Sequence, residues 1–193
     1  MWWREVRSQW RRAGPVARLA VALAAASLTA GCFEPLYGAR PSAGSETVRD
    51  KLASITLAPM KPKKGTPQER ISVGMHNALE FALSGGAATT ENAATYRLTV
   101  VALPTEVTVA IDPITGRPNA QIAAIQASFQ LIEIATNKTV ISDSTFAHVD
   151  YDVPGTQQRF AKQRAQRDAE DRAVQVVADG IRNRLASYFV AGT

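Results

Sequence analysis

Cysteine is almost missing from this chain of 193 residues: Cys32 is the only one, so no intramolecular disulfide can form. Histidine is nearly as scarce, with His76 and His148 alone. One cysteine and two histidines give no zinc-ligand spacing, and no P-loop or dinucleotide fingerprint occurs, so neither a metal nor a cofactor is implied. A long apolar run is also lacking. The longest, Leu19 to Ala30, is broken only by Ser27 and Thr29. At a rise of 1.5 Å per residue it spans about 18 Å, short of the roughly 30 Å hydrocarbon core of a bilayer.

What is present around that run explains its length. Arg4, Arg7, Arg11, Arg12 and Arg18 precede it against one acid, Glu5, and Leu28-Thr29-Ala30-Gly31-Cys32 follows. A basic segment, a short apolar segment and small residues form a secretory signal. A thiol directly after the cut is the nucleophile that diacylglyceryl transfer needs, so the stretch reads as a lipobox with Thr29 where Leu is commoner. Residues 1–31 are therefore expected to be a lipoprotein signal peptide, with Cys32 acylated. Arg11-Arg12 lacks the flanking context of a twin-arginine signal. Two or three acyl chains anchor a protein durably where one does not. Phe33, rather than Asp, after the cysteine favours the outer membrane, on its periplasmic side.

Removing the signal changes the electrostatics. The whole chain carries a formal charge of +5, but five of its 22 basic and one of its 17 acidic residues lie before Cys32. The remainder is near +1, and a nucleic-acid partner is not expected. Residues 32–51, rich in Pro, Gly, Ser and Ala, read as the lipidated N-terminus and a flexible tether. Residues 52–193 suffice for one domain.

Within that domain Ser54 to Met60 alternates as a strand ending at Pro59 and Pro62. Pro67 to Leu83 repeats Ile71, Met75, Ala78, Leu79 and Ala82 at helical spacing, and Ser84-Gly85-Gly86 stops it. Thr95 to Ala110 is a strand whose Leu98, Val100 and Ala102 share a face, with Pro104 demanding an edge or a bulge. Asp112 to Pro118 reads as a hairpin loop. Ile122 to Ile134 follows, with Ile125, Ala127, Phe129 and Leu131 on one face and Gln126, Ser128 and Gln130 on the other. After Thr136-Asn137-Lys138, Val140 to Tyr151 forms a more exposed strand, with Ser142 and Ser144 on its polar side. From about Gln158 to Phe189 the chain lacks proline and spaces Ala165, Ala169, Ala173, Val177, Ile181 and Leu185 by four, a long amphipathic helix. The order β-α-β-β-β-α predicts an α+β two-layer sandwich: a four-stranded, mostly antiparallel sheet with two helices on one face.

Cys32 followed by Phe33-Glu34-Pro35-Leu36-Tyr37-Gly38, together with Ala165, Asp168, Ala169, Arg172 and Ala173 of the last helix, resembles the LptE family of LPS-assembly lipoproteins. The resemblance implies a non-enzymatic outer-membrane lipoprotein that plugs an LptD-type β-barrel, binds lipopolysaccharide and assists its assembly into the outer leaflet. A different lipoprotein adaptor, an ABC lipid-transport auxiliary subunit or a secretin pilot, is the alternative.

If a right-handed crossover makes the first two strands parallel, three connections share one end of the sheet. Lys61, Lys63 and Lys64, Arg117 of the hairpin, and Arg159 with Lys162 before the last helix would then form one basic rim. Such cations can hold lipid A phosphates through charge-assisted hydrogen bonds, with Arg117 the foremost candidate. The opposing reading is that these are ordinary charges of soluble loops. The polar open face of the sheet is a second candidate surface. Ser142, Ser144, His148 and Asp150 share one strand without a turn to expose a nucleophile, which speaks against a hydrolase.

Overall fold

A capping box opens the first element: the Thr47 hydroxyl accepts from the Asp50 backbone N–H and the Asp50 carboxylate accepts from the Thr47 N–H. It starts helix α1, Val48–Ala53, which buries Leu52. The computed structural model describes residues 47–62, 64–86, 94–153 and 159–191, all within a compact unit spanning Arg40–Thr193. Strand β1 is Ile55–Leu57, helix α2 Pro67–Ser84, strand β2 Tyr96–Ile111, strand β3 Pro118–Glu133, strand β4 Lys138–Asp152 and helix α3 Arg159–Ala191. The expected order is present, with α1 added in front of it.

The four strands form one sheet in the order β1-β2-β3-β4. β1 runs parallel to β2, matching Leu57 to Leu98, and the other neighbours are antiparallel. β1 stays short for a chemical reason. Ala58 still donates to the Leu98 carbonyl, and the chain then leaves the strand through Pro59 and Pro62, whose rings fix φ. α2 ends where Gly85 takes a left-handed conformation, φ 71°, and donates to the Phe81 carbonyl.

One face of the sheet is the floor of the core. Leu98, Val100, Ala102, Ile125, Ala127, Phe129 and Leu131 are buried under Ile71, Met75 and Leu79 of α2 and Val177, Ile181 and Leu185 of α3. Both helices thus lie on that face, α2 over β2 and α3 over β3 and β4, and they pack on each other. Each such aliphatic or aromatic side chain contributes about 1.5 to 3 kcal/mol by leaving water. α3 approaches β4 closely at Gly180, where a Cβ would stand 2.9 Å from the Thr145 Oγ1. Arg70 of α2 pairs with Glu170 and, at 2.8 Å, with Asp171, joining the helices at their polar margin.

Candidate functional site

β2 and β3 are 16 residues each, about 50 Å at 3.3 Å per residue. Their far ends outrun the helices. The last core-facing residues are Gln121, Ala123 and Tyr151, which α3 covers with Ala169 and Ala165. Opposite them β2 is already exposed on both faces, from Glu106 to Val109. This arm is fastened at its root by a polar cluster: the Tyr151 hydroxyl lies 2.9 Å from Glu106 Oε1 and 3.2 Å from Gln121 Oε1, and Gln121 Nε2 reaches the Thr108 hydroxyl at 3.4 Å. Burial, then the neighbouring Glu106 carboxylate, pushes the Tyr151 hydroxyl well above the usual phenol range.

The tip of the arm is ordered by its own hydrogen bonds. Asp112 Oδ1 accepts from the Ile114 and Thr115 N–H groups at 2.8 and 2.9 Å. Its backbone N–H donates to the Arg117 carbonyl, and its carbonyl accepts from Gly116, whose φ of 67° suits glycine. The N–H of Thr115, then that of Ile114, holds the Asp112 carboxyl below its ordinary range. With the loop backbone satisfied, the outward groups are Ile114, 93% exposed, and Arg117. Val109 and Ile111 continue the exposed apolar surface behind them.

The cations expected to form one rim are divided. Gln68 Nε2 donates to the Ala102 carbonyl at 3.0 Å, which sets the start of α2 beside the middle of β2. Lys61 and Lys64 lie in the segment leading to that point. Ala102 is nine residues from Ile111, about 30 Å along the strand. The lysine segment and Arg117 are therefore at different levels, because β1 has three residues and β2 sixteen. Arg159 is the first residue of α3, after Val153 has bonded to the Asn119 carbonyl between the root of the arm and its tip. So Arg159 and Arg117 belong to the same end. Lys162, Arg164 and Arg167 follow, and the first turn of α3 has no acid. Lys63 and Cys32, with the signal peptide and most of the tether, lie outside the described residues.

The open face of the sheet also differs from its expected polar character. Gln126, Ser128, Gln130, Ser142 and Ser144 are exposed there. The register, however, sets Val101 beside Ser128 and Leu103 and Phe146 on either side of Gln126. Those three apolar side chains are 53%, 54% and 68% exposed, so the face turns apolar toward the arm. His148 packs its ring on Phe146 at 5.3 Å. Four residues from Ser144 along a strand, about 13 Å, it is out of reach of that hydroxyl. Among the described residues no group of acids, cysteines and histidines is arranged to hold a metal ion.

The LptE lipopolysaccharide-assembly family model matches residues 52–185, which span β1 to α3. The chain belongs to the LptE family. Solved structures repeat the fold. A chain described as a lipoprotein from Caulobacter crescentus CB15 is 21% identical, with 76% of this chain and 97% of that one covered at a TM-score of 0.57. Rare lipoprotein B from Shewanella oneidensis is 18% identical, covering 71% and 96% at 0.51. Lipoprotein B from Nitrosomonas europaea is 12% identical, covering 72% and 84%, also at 0.51. No curated protein sequence matches this LptE-family chain. None of its described helices is long and apolar enough to cross a membrane.

Proposed function

We propose that this LptE-family protein is an outer-membrane lipoprotein, acylated at Cys32 and held on the periplasmic side, that plugs an LptD-type β-barrel and binds lipopolysaccharide with its arm. The single observation that carries the reading is the composition of the arm. Ile114, Ile111 and Val109 offer apolar contact on a stiff hairpin, and Arg117 stands beside them. Lipid A combines acyl chains with phosphates, and this surface combines the matching groups. Lys162 and Arg164 near the same end add cations, and basic residues at the start of α3, where Arg159 comes first in the sequence, oppose its macrodipole, an arrangement that an anion relieves. Lys61 and Lys64, with Lys63 between them in the sequence, offer a second basic segment for the same head group or for the barrel. No catalytic group takes part: the protein acts by binding and positioning.

Two measurements test it. Isolation of the anchored protein from outer membranes, with mass spectrometry of its N-terminal peptide and its partners, is expected to give triacylated Cys32 and a large β-barrel in near-equal amount. ABC-transporter or secretin components in place of the barrel overturn the plug. Arg117→Ala and Ile114→Ser are each expected to weaken lipopolysaccharide binding about tenfold, the loss of one charge-assisted contact of about 1.5 kcal/mol or of one buried aliphatic group. Unchanged binding in both variants removes the arm as the site.

A further inference from the structure

A cavity of about 320 Å³ opens beside the middle of β2, away from the tip of the arm. Pro67, Leu103, Pro104 and Ala123 line it with apolar surface, and Glu106 and Glu170 with carboxylates. No lysine or arginine lines it. The two acids differ in what they already hold. Glu170 is engaged by Arg70 and by Gln166 Nε2 at 3.1 Å. Glu106 accepts only the Tyr151 hydroxyl, on Oε1, and its Oε2 has no partner among the described residues.

The strand edge next to the cavity is closed to another strand. β1 covers β2 only from Tyr96 to Leu98, and past that point the even-numbered residues of β2 turn their backbone groups outward. Gln68 occupies the Ala102 carbonyl, and Pro104 has no N–H to offer. Both are devices that discourage strand addition. The cavity therefore admits a side chain rather than a backbone.

We infer that this cavity is an anchor pocket for a basic side chain, arginine before lysine, presented by a protein partner. The apolar walls suit a methylene stem, and Glu106 Oε2 waits for its charged head. An arginine anchor enclosed by a partner is the sort of contact that dominates an interface. Phosphate-bearing ligands are disfavoured by the two carboxylates, so the occupant is protein and not lipid. The partner is the β-barrel of the proposed function, and the inference rests on that reading.

The test isolates the full-length lipoprotein from outer membranes as wild type, Glu106→Lys, Glu106→Gln and Pro67→Trp, the last filling the mouth of the cavity at an exposed first helical position. Barrel retained per lipoprotein is measured alongside thermal unfolding of each purified variant. Glu106→Lys and Pro67→Trp are expected to lower retention at least tenfold and Glu106→Gln about threefold, with the melting temperatures of Pro67→Trp and Glu106→Gln unchanged. Should Glu106→Lys melt low because the Tyr151 bond is lost, Pro67→Trp decides. Full retention by Pro67→Trp overturns the pocket while leaving the barrel in place. Absence of a barrel from the wild-type isolate overturns the plug, and the occupant with it.

Discussion

β2 and β3 pass through two environments without a break in their ladder. From Leu98 to Ala102, opposite Ala127 to Leu131, every inward side chain is buried. From Glu106 to Val109 both faces of β2 are exposed, although Ala123 and Gln121 opposite on β3 are still buried. The hydrogen bonds between the strands are of the same kind in both halves, so they do not distinguish them. The difference is apolar burial. The base obtains its stability from the helices above it, whereas the arm is held by the Tyr151 cluster at its root and the Asp112 turn at its tip. Substitutions in the base should therefore act on folding, and those at the tip on binding.

The sharpest way to break that comparison is to cut the base. Phe129 is 1% exposed beneath both helices, and Phe129→Ala is expected to cost about 3 to 5 kcal/mol through lost transfer energy and a residual cavity. Denaturant unfolding measures this. Ile114→Ser at the tip should leave the same midpoint unchanged. A comparable loss at Ile114 would show that the arm is packed against something in the free protein.

Gly180 probes the α3–β4 contact with a smaller effect. An added Cβ meets the Thr145 Oγ1 at 2.9 Å, and Gly180→Ala is expected to lose about 1 kcal/mol, because overpacking of roughly 1 to 3 kcal/mol outweighs the gain in helix propensity of about 1. Thr145→Ala removes the clashing oxygen and leaves only the Cβ, at 3.8 Å. Gly180→Ala combined with Thr145→Ala should then be more stable than the sum of the single changes.

The base and the hairpin of the arm were readable from the sequence, the exposure of the arm was not, and the reason is physical. Alternation at Leu98, Val100 and Ala102, or at Ile125 to Leu131, reports a buried face directly. Val107 is just as apolar, but it shares the open face with Val101 and Leu103, and the register shifts between Thr108 and Ile111 break the alternation beyond it, so apolar character there does not report burial. The lysine segment shares an end with Arg117 in topology but not in height. The open face was read from its glutamines and serines, while its apolar corner emerges only when Leu103 and Phe146 are brought beside Gln126 by register. α1 was missed because six residues are too few for periodicity. The Thr47-x-x-Asp50 cap ahead of Leu52 was the available signal.

Tyr151, at the junction of base and arm, should give an intermediate effect with its own pH signature. Tyr151→Phe strands Glu106 and Gln121 and is expected to cost about 1 to 2 kcal/mol at neutral pH. In the wild type the folded hydroxyl titrates above the ordinary phenol value. Its contribution is complete below the unfolded value near 10, and stability then falls by up to about 1.4 kcal/mol per pH unit as the unfolded chain alone ionises. Unfolding of the two proteins between about pH 9 and 11.5 should show this extra alkaline slope in the wild type and not in Tyr151→Phe. Equal slopes would mean that the hydroxyl is open to water.

Asp112 offers the smallest and most local effect. Its carboxylate accepts two backbone N–H groups and is held below its ordinary range. A depressed carboxyl supports the turn above the unfolded value and loses that support as pH falls through the folded one, so tip order should fade only below about pH 4. Asp112→Ala removes it at every pH. Amide exchange at Ile114 and Thr115 is expected to accelerate severalfold in this variant, while Phe129 and Leu131 in the base exchange as before and global unfolding is unmoved. If Ile114 is presented by this turn, lipopolysaccharide affinity should fall with the exchange protection although neither Ile114 nor Arg117 has been altered. Intact affinity on a loosened tip would show that the ligand orders the loop itself, and that the stiffness of the arm ends at Ile111.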